Sequence, residues 1–507
     1  MAVHPDRTPV LIGVGQFVQR DGPLEEAESA LAMCETVARC AAEDARGARL
    51  LLGRIDTLVL LNSFARGPGN PVRPLAQKLG AYPCREFITE AGGQIGVTAV
   101  NAAAEWIQQG RAEIVLVAGA NDMRTRLRAR RASFAIPTRP SGSGTPECLG
   151  ERRAGHSEQE AQHGLDCPPV IYPLFENALR ARRGLAPEVH LRRVAHLFSR
   201  FSEVAARNPY AWFPTARSAE EIATPSAQNR MICFPYTKYL NAVLHTDQAA
   251  ALLLCSVDSA QALGVPRDRW VYWWGGAQAQ EEAWFASERP VFSRSPAMLA
   301  AHLATLERAR TRIEAVDFLD FYSCFPVAVE LAAEQLGLAE NDPRGFTVTG
   351  GLPYAGGPAS AYCLHSIATM AEKLRQRPGS KGFVTGNGWY LTKHAASLWS
   401  TVRPTADVLT ARPGPKAASV RRGLARAAVA IDPEPRGKGR VETYTVVYDR
   451  EGAPVRGILL GRTEENLRFL AQAPQDRDVL ESLTVAEGVG RLGRLSQVND
   501  STRFDPC

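Results

Sequence analysis

Two stretches of this chain carry the same order of signals, a strand, a glycine-rich turn, an apolar helix and a second strand, so one folding unit is expected twice. Arg54-Ile-Asp-Thr-Leu-Val-Leu-Leu-Asn-Ser-Phe64 is matched by Ala315-Val-Asp-Phe-Leu-Asp-Phe-Tyr-Ser-Cys-Phe325, with Asp56 and Asp317 each eight residues before a phenylalanine. Ala91-Gly-Gly-Gln-Ile-Gly-Val-Thr-Ala-Val100 is then matched by Gly350-Gly-Leu-Pro-Tyr-Ala-Gly-Gly-Pro358 running into Tyr362-Cys-Leu-His-Ser-Ile-Ala-Thr-Met370, and Val115-Leu-Val-Ala-Gly-Ala-Asn121 by Gly382-Phe-Val-Thr-Gly-Asn-Gly388. The expectation is a duplicated α/β fold with two pseudo-symmetric halves.

The strand-like runs Val10-Leu-Ile-Gly-Val14, Ile55-Asp-Thr-Leu-Val-Leu-Leu61 and Ala112-Glu-Ile-Val-Leu-Val-Ala118 alternate with helical patterns, which points to a buried sheet. After Gly93, Val97, Val100, Ala104 and Ile107 share one helical face and Gly110 ends the segment. Pro and Gly clusters around Ser141-Gly-Ser-Gly-Thr-Pro146, then polar helical stretches, mark an inserted loop domain at about 125–230. The first half closes near residue 265 after Val243-Leu-His-Thr-Asp-Gln-Ala-Ala-Ala-Leu-Leu-Leu-Cys255, and the second runs over 266–405. From Thr405 a Pro-, Ala-, Arg- and Gly-rich stretch leads into Val441-Glu-Thr-Tyr-Thr-Val-Val-Tyr448 and Val455-Arg-Gly-Ile-Leu-Leu460, so 406–507 reads as a small antiparallel β-barrel domain.

The 507 residues are 45% hydrophobic and 22% charged, enough for two or three domains with substantial cores. No apolar run suits a signal peptide or a membrane span, which makes a cytoplasmic location the default and excludes a membrane partner. Ten cysteines without a short-spaced pair suggest free thiols and no metal site. The net charge of +6 is spread along the chain, so nucleic-acid binding is not implied. One basic run, Arg124-Thr-Arg-Leu-Arg-Ala-Arg-Arg131, is either a solvated loop or a contact for ligand phosphates. Gly13-Val-Gly15 lacks the third glycine of a dinucleotide fingerprint.

Over roughly residues 8–405 the chain resembles the thiolase superfamily, and within it the sterol-carrier-type thiolases and thiolase-like proteins often labelled acetyl-CoA acetyltransferase. Ala118-Gly-Ala-Asn-Asp-Met123 is similar to the family's Gly-Gly-x-Glu-Ser-Met strand end, and Asp247-Gln-Ala-Ala-Ala251 to Asp-Gly-Ala-Ala-Ala. The resemblance implies chemistry on a CoA thioester, which needs a thiolate, an activating histidine, an acid/base group and an oxyanion site. The family's nucleophilic cysteine matches Gly93, its Gly-His-Pro histidine matches Gly357, its second reactive cysteine falls near Val384, and its His or Asn becomes Tyr322 in Tyr322-Ser-Cys-Phe325. A glycine cannot form an acyl-enzyme, so ordinary thiolysis is not expected.

The candidate catalytic residues are therefore Tyr322, Cys324, Tyr354, Asn387 and His394, and the candidate substrate-binding residues are Gly93, Ser323, Gly356, Gly357 and Gly388. Tyr322 is either an acid/base group or a core tyrosine with a satisfied hydroxyl. Asn387 either binds a carbonyl or holds its turn. Cys324 reads more readily as a buried apolar residue, and His365 as a structural histidine. Gly439-Arg-Val-Glu-Thr-Tyr-Thr-Val-Val-Tyr448 and Arg468-Phe-Leu-Ala471 resemble the OB-type partner domains of some thiolase-like acyltransferases and aldolases, without their zinc-ribbon cysteines.

The resemblance implies a nominal acyltransferase that binds or transforms a CoA thioester non-covalently, with coenzyme A or acyl-CoA as ligand, no bound cofactor, and a homodimer as one arrangement. A retro-aldolase-like carbon–carbon lyase using Tyr322 and a non-catalytic acyl-CoA-binding or scaffold protein stay open beside it.

Overall fold

The structure is a computed structural model and describes residues 5–46, 51–62, 69–136, 141–411, 417, 419, 428–498 and 501–507. The Ser63-Phe64 end of the first repeat and the greater part of 412–427 in the linker-like stretch lie outside the described residues.

The first-half strands are β1 (Pro9–Val18), β2 (Thr57–Leu60), β3 (Arg85–Thr89), β4 (Ile114–Asp122) and β5 (Glu147–Leu149). A short hairpin follows, β6 (Met231–Cys233) and β7 (Tyr236–Thr237), and then β8 (Asp247–Ser256) and β9 (Val271–Gln280). The second half adds β10 (Phe318–Asp320), β11 (Lys381–Gly388) and β12 (Lys393–Ser400). Without the hairpin, these strands form one sheet in the order β10-β11-β12-β9-β1-β8-β4-β2-β3-β5.

The duplication is explicit in that order. The run β2-β4-β8-β1 recurs as β10-β11-β12-β9, and in each run the first pair is parallel and the next two are antiparallel. The halves join where β1 meets β9 at Val10 and Tyr272. Asp56 and Asp317 do equivalent work. Asp56 Oδ2 accepts from the amides of Glu113 (2.6 Å) and Ile114 (3.0 Å), and Asp317 Oδ2 accepts from the Lys381 amide (2.9 Å). Each carboxylate pins the first residues of the parallel neighbour, β4 or β11.

The helices Ile95–Gln108 and Tyr362–Gln376 lie between the halves, while Ala30–Asp44 covers β1, β8 and β4 from outside and Pro296–Arg308 covers β9 and β12. Val97, Val100, Ala104 and Ile107 are fully buried, and Gly110 follows the helix with φ +70°, the left-handed conformation that ends a helix without a Cβ penalty. Each central helix starts against a glycine of the other half. A Cβ on Gly119 of β4 would come within 3.1 Å of Ala361 Cβ, and one on Gly386 of β11 within 2.7 Å of Gln94 Cα.

The C-terminal strands are β13 (Gly437–Tyr448), β14 (Pro454–Thr463), β15 (Arg468–Gln472), β16 (Leu492–Val498) and β17 (Ser501–Pro506). They close a five-stranded barrel in the order β13-β14-β15-β17-β16, with β13 pairing to both β14 and β16. The expected all-antiparallel barrel is corrected in one pairing, since β15 and β17 run parallel. The helix Arg477–Val485 lies between β15 and β16 and places Leu480 and Leu483 in the barrel core.

The barrel is seamed to the inserted segment and the core. Cys233 of β6 pairs with Val447 of β13, and the helix Pro168–Arg182 sends Asn177 Nδ2 to the Tyr444 carbonyl (2.9 Å) and buried Arg180 to Glu487 (2.7 Å). From the barrel, buried Arg468 donates to the carbonyls of Ser287 and Arg289 (3.0 Å each) and pairs with Glu442 at 2.9 Å. All ten cysteines are free thiols, and no described helix is long and apolar enough to cross a membrane.

Candidate functional site

A cavity of about 520 Å³ opens where the first glycine turn, the ends of β10 and β11 and the helix Pro168–Arg182 converge. Gly93, Tyr322, Cys324 and Asn387 line it together, joined by Tyr172 and Trp389. The repeat explains the meeting, because the turn before each central helix lies beside the strand ends of the opposite half.

Gly93 has no room for a side chain. A Cβ there would lie well inside 3.0 Å of the Tyr322 phenol oxygen and of the Asn387 carbonyl oxygen. The second glycine pair serves a different end, since Gly350 and Gly351 have φ of +105° and +79° and need glycine for the backbone conformation itself.

Tyr322 is held from several sides. Its amide donates to Thr385 Oγ1 at 2.9 Å, and its ring meets Tyr362 edge to face with centroids 5.5 Å apart. Burial pushes its phenol well above the ordinary tyrosine range, and the neighbouring Cys324 pushes the same way. The group therefore keeps its proton at neutral pH.

Cys324 is pushed up to about 12 by burial, and buried Cys363 is raised as well, its thiol donating to the Gly93 carbonyl at 3.0 Å. Thiols, unlike thiolates, are poor nucleophiles. At pH 8, iodoacetamide is expected to alkylate exposed Cys84, Cys148 and Cys507 and to spare Cys324 and Cys363, read by peptide mass mapping. Because the Cys324 proton leaves only near pH 12, raising the pH from 7 to 9 leaves that pattern unchanged.

Asn387 Nδ2 donates to the Tyr172 hydroxyl at 2.9 Å and reaches Cys324 Sγ at 3.7 Å, while the Tyr172 hydroxyl donates to the Trp389 carbonyl at 2.8 Å. Burial raises Tyr172 far above its usual range too. Trp389 adopts φ +53°, uncommon for a bulky residue, at the turn leaving β11.

Residues 424–500 match the family model described as the thiolase-like protein type 1 additional C-terminal domain. The crystal structure of a monomeric SCP2-thiolase like protein type 1 from Mycobacterium smegmatis is 33% identical with a TM-score of 0.84, and the match covers 100% of both chains. The chain belongs to the SCP2-thiolase-like protein type 1 family. An acetyl-CoA acetyltransferase of Methanothermobacter thermautotrophicus is 26% identical over 244 residues, and the match spans 45% of this chain and 60% of that relative's length. The Ltp2-ChsH2(DUF35) aldolase shares the fold, with 19% identity and a TM-score of 0.59 over 78% of this chain and 98% of that one.

In this SCP2-thiolase-like chain the remaining predicted residues lie away from the cavity lining. Buried His394 contacts Ser295 Oγ (3.1 Å) and the Leu391 carbonyl (3.0 Å), and burial pushes it down to about 3. His365 contacts Gln16 Oε1 at 2.9 Å and is also pushed down to about 3 by burial. Tyr354 packs beside Phe198 within the core, with its phenol raised by burial. Ser323 Oγ accepts from the Leu352 amide at 3.3 Å, and so braces the second glycine turn. Gly356 makes room for Gln248, Gly357 donates its amide to the Val243 carbonyl at 2.8 Å, and Gly388 makes room for Gln94.

Tyr172, Trp389, Tyr390, His156 and Asp166 are among the cavity residues that sequence reasoning missed. Tyr172 sits in Pro168-Pro-Val-Ile-Tyr172, an apolar helix start that reads as core, and the repeat has no counterpart for that segment. One group of described side chains has spacing that suits a metal ion, Glu176, His190 and Glu330, whose ligand atoms all lie within 4.8 Å of one another. Side chains already balance its charge, with Arg183 2.5 Å from Glu330 and Tyr236 donating to Glu176. Burial, then the Glu176 charge, raises Glu330 well above the usual carboxyl range. The cluster braces three helices, Pro168–Arg182, Pro187–Ala206 and Pro326–Gln335.

Proposed function

We propose that the protein binds the acyl part of a CoA thioester in this cavity and polarises its carbonyl through neutral donors, without forming an acyl-enzyme. The observation that carries this reading is the Tyr322 phenol occupying the space of a residue-93 side chain while burial keeps it protonated. A protonated phenol in a mostly apolar cavity stabilises a carbonyl oxygen by hydrogen bonding. Burial keeps the neighbouring thiols of Cys324 and Cys363 protonated, and His394 and His365 lie elsewhere, although His156 lines the cavity.

Calorimetric titration with a panel from acetyl-CoA to palmitoyl-CoA tests the binding, and intact-mass measurement tests for an adduct. The expected result is saturable binding of at least one acyl-CoA, no covalent mass increase and no thiolysis of acetoacetyl-CoA. Tyr322→Phe should weaken binding by about fivefold, the effect of removing one net hydrogen bond of about 1 kcal/mol. An acyl adduct, or thiolysis above background, would overturn the reading. The lyase alternative asks a buried, proton-holding phenol to act as a base; release of an aldehyde or ketone from a 3-hydroxyacyl-CoA would establish it instead.

The same reading takes one chain as sufficient, since a complete cavity forms within it. The exposed edge of β3 is paired by β5, a three-residue strand too short to extend the sheet readily. Size-exclusion chromatography with light scattering should give a monomer, and a stable dimer would restore the homodimer expectation.

A further inference from the structure

We infer that the acyl group carries a hydroxyl close to its thioester carbonyl, so that the ligand class is a hydroxyacyl thioester; this rests on the acyl-thioester reading above. Asn387 is 4% exposed and lines the cavity, yet its Oδ1 has no hydrogen-bond partner among the described residues. An unpaired buried acceptor is destabilising, and a ligand donor removes that penalty.

The surrounding network fixes which end of the amide is unpaired. Tyr172 has one hydroxyl proton, committed to the Trp389 carbonyl at 2.8 Å, so its oxygen can only accept from Asn387. That requirement turns the Asn387 nitrogen toward Tyr172 at 2.9 Å and toward Cys324 Sγ at 3.7 Å. The amide oxygen is what remains for a ligand.

Donors for the carbonyl stand nearby. The Tyr322 phenol adjoins the Asn387 backbone, both crowding the same point above Gly93, and the buried Trp389 Nε1 also lacks a partner. A carbonyl held by these donors places a hydroxyl within a few bonds of it beside the Asn387 acceptor. A keto oxygen at that position would face another acceptor and leave Oδ1 unpaired. Tyr172 thus acts as a positioning residue, through the orientation of the amide.

The test is calorimetry at fixed pH with octanoyl-CoA, 2-hydroxyoctanoyl-CoA, 3-hydroxyoctanoyl-CoA and 3-oxooctanoyl-CoA. One hydroxy ligand is expected to bind about tenfold tighter than octanoyl-CoA, with no such gain for the oxo ligand. Asn387→Leu should erase the preference, read as the ratio of hydroxyoctanoyl-CoA to octanoyl-CoA affinity within that variant. Tyr172→Phe, which frees the amide to rotate, should reduce the same ratio while Asn387 is still present. If Asn387→Leu does not fold, the wild-type preference and Tyr172→Phe decide the matter. Equal binding of octanoyl-CoA and both hydroxy ligands overturns the inference while the acyl-thioester reading stands. Failure of every ligand to bind overturns both.

Discussion

Gly93→Cys is expected to leave the protein without thiolase activity and to destabilise it by about 1–3 kcal/mol, the usual range for overpacking a filled site. The new Cβ would lie well inside 3.0 Å of both the Tyr322 phenol and the Asn387 carbonyl. These obstacles differ in kind. The phenol belongs to a side chain and can be removed, whereas the carbonyl belongs to β11, whose register with β12 is fixed by pairing from Lys381 through Gly388.

Gly93→Ala should therefore lower the melting temperature, and adding Tyr322→Ala should recover only part of the loss. A double-mutant cycle by urea denaturation should return a coupling of about 0.5–3 kcal/mol, as expected for residues in contact. Additive single effects would show that the two positions do not compete for space. Thiolysis of acetoacetyl-CoA by a Gly93→Cys variant with wild-type stability would contradict the packing argument outright.

Arg468→Ala should destabilise the protein by about 3–5 kcal/mol, comparable to breaking a buried ion pair. Its guanidinium is fully buried, donates to the carbonyls of Ser287 and Arg289 and pairs with Glu442, so truncation leaves all three groups without that donor. Burial pushes Arg468 down to about 10, which still leaves it charged at neutral pH. Its side chain also stacks 4.7 Å from the Phe292 ring centroid, so packing is lost along with charge. Arg468→Lys should be intermediate, because an ammonium cannot reproduce the planar fork. Thermal denaturation checks both variants, and a melting temperature unchanged by Arg468→Ala would place the stability of the seam elsewhere.

The duplication was legible because a repeated series of strand, glycine turn, helix and strand constrains itself. Asp56 and Asp317 stood at matching positions in the sequence and perform matching hydrogen bonding in the fold. Gly93 and Tyr322 were reached through the resemblance to thiolases, whose motifs put those positions in the active site, and Asn387 through its place at the turn after the last core strand; in the fold the three line one cavity. The inserted segment has no copy to be compared with. Nothing in Pro168-Pro-Val-Ile-Tyr172 says which face turns to the cavity, so Tyr172 was invisible as a site residue. His394 and Tyr354 illustrate the opposite difficulty, since a reactive residue type beside a glycine turn gives no sign of which way its side chain points. The parallel pairing of β15 with β17 was hidden similarly, because strand pattern does not report the sense of a neighbour 30 residues away.

One helix, Pro168–Arg182, carries Tyr172 at the cavity and both Asn177 and Arg180 at the barrel. From Tyr172 to Arg180 is about 12 Å along a helix rising 1.5 Å per residue, little more than two turns, with Pro173 next to Tyr172. Among the described residues no barrel residue lines the cavity, yet the barrel anchors the far end of the helix that carries the Tyr172 hydroxyl. Since the anchor belongs to the same polypeptide, dilution cannot detach it, and the alignment of the cavity does not depend on how abundant a separate subunit is. A mechanical disturbance at the barrel surface would be felt as a misplaced hydroxyl at the other end.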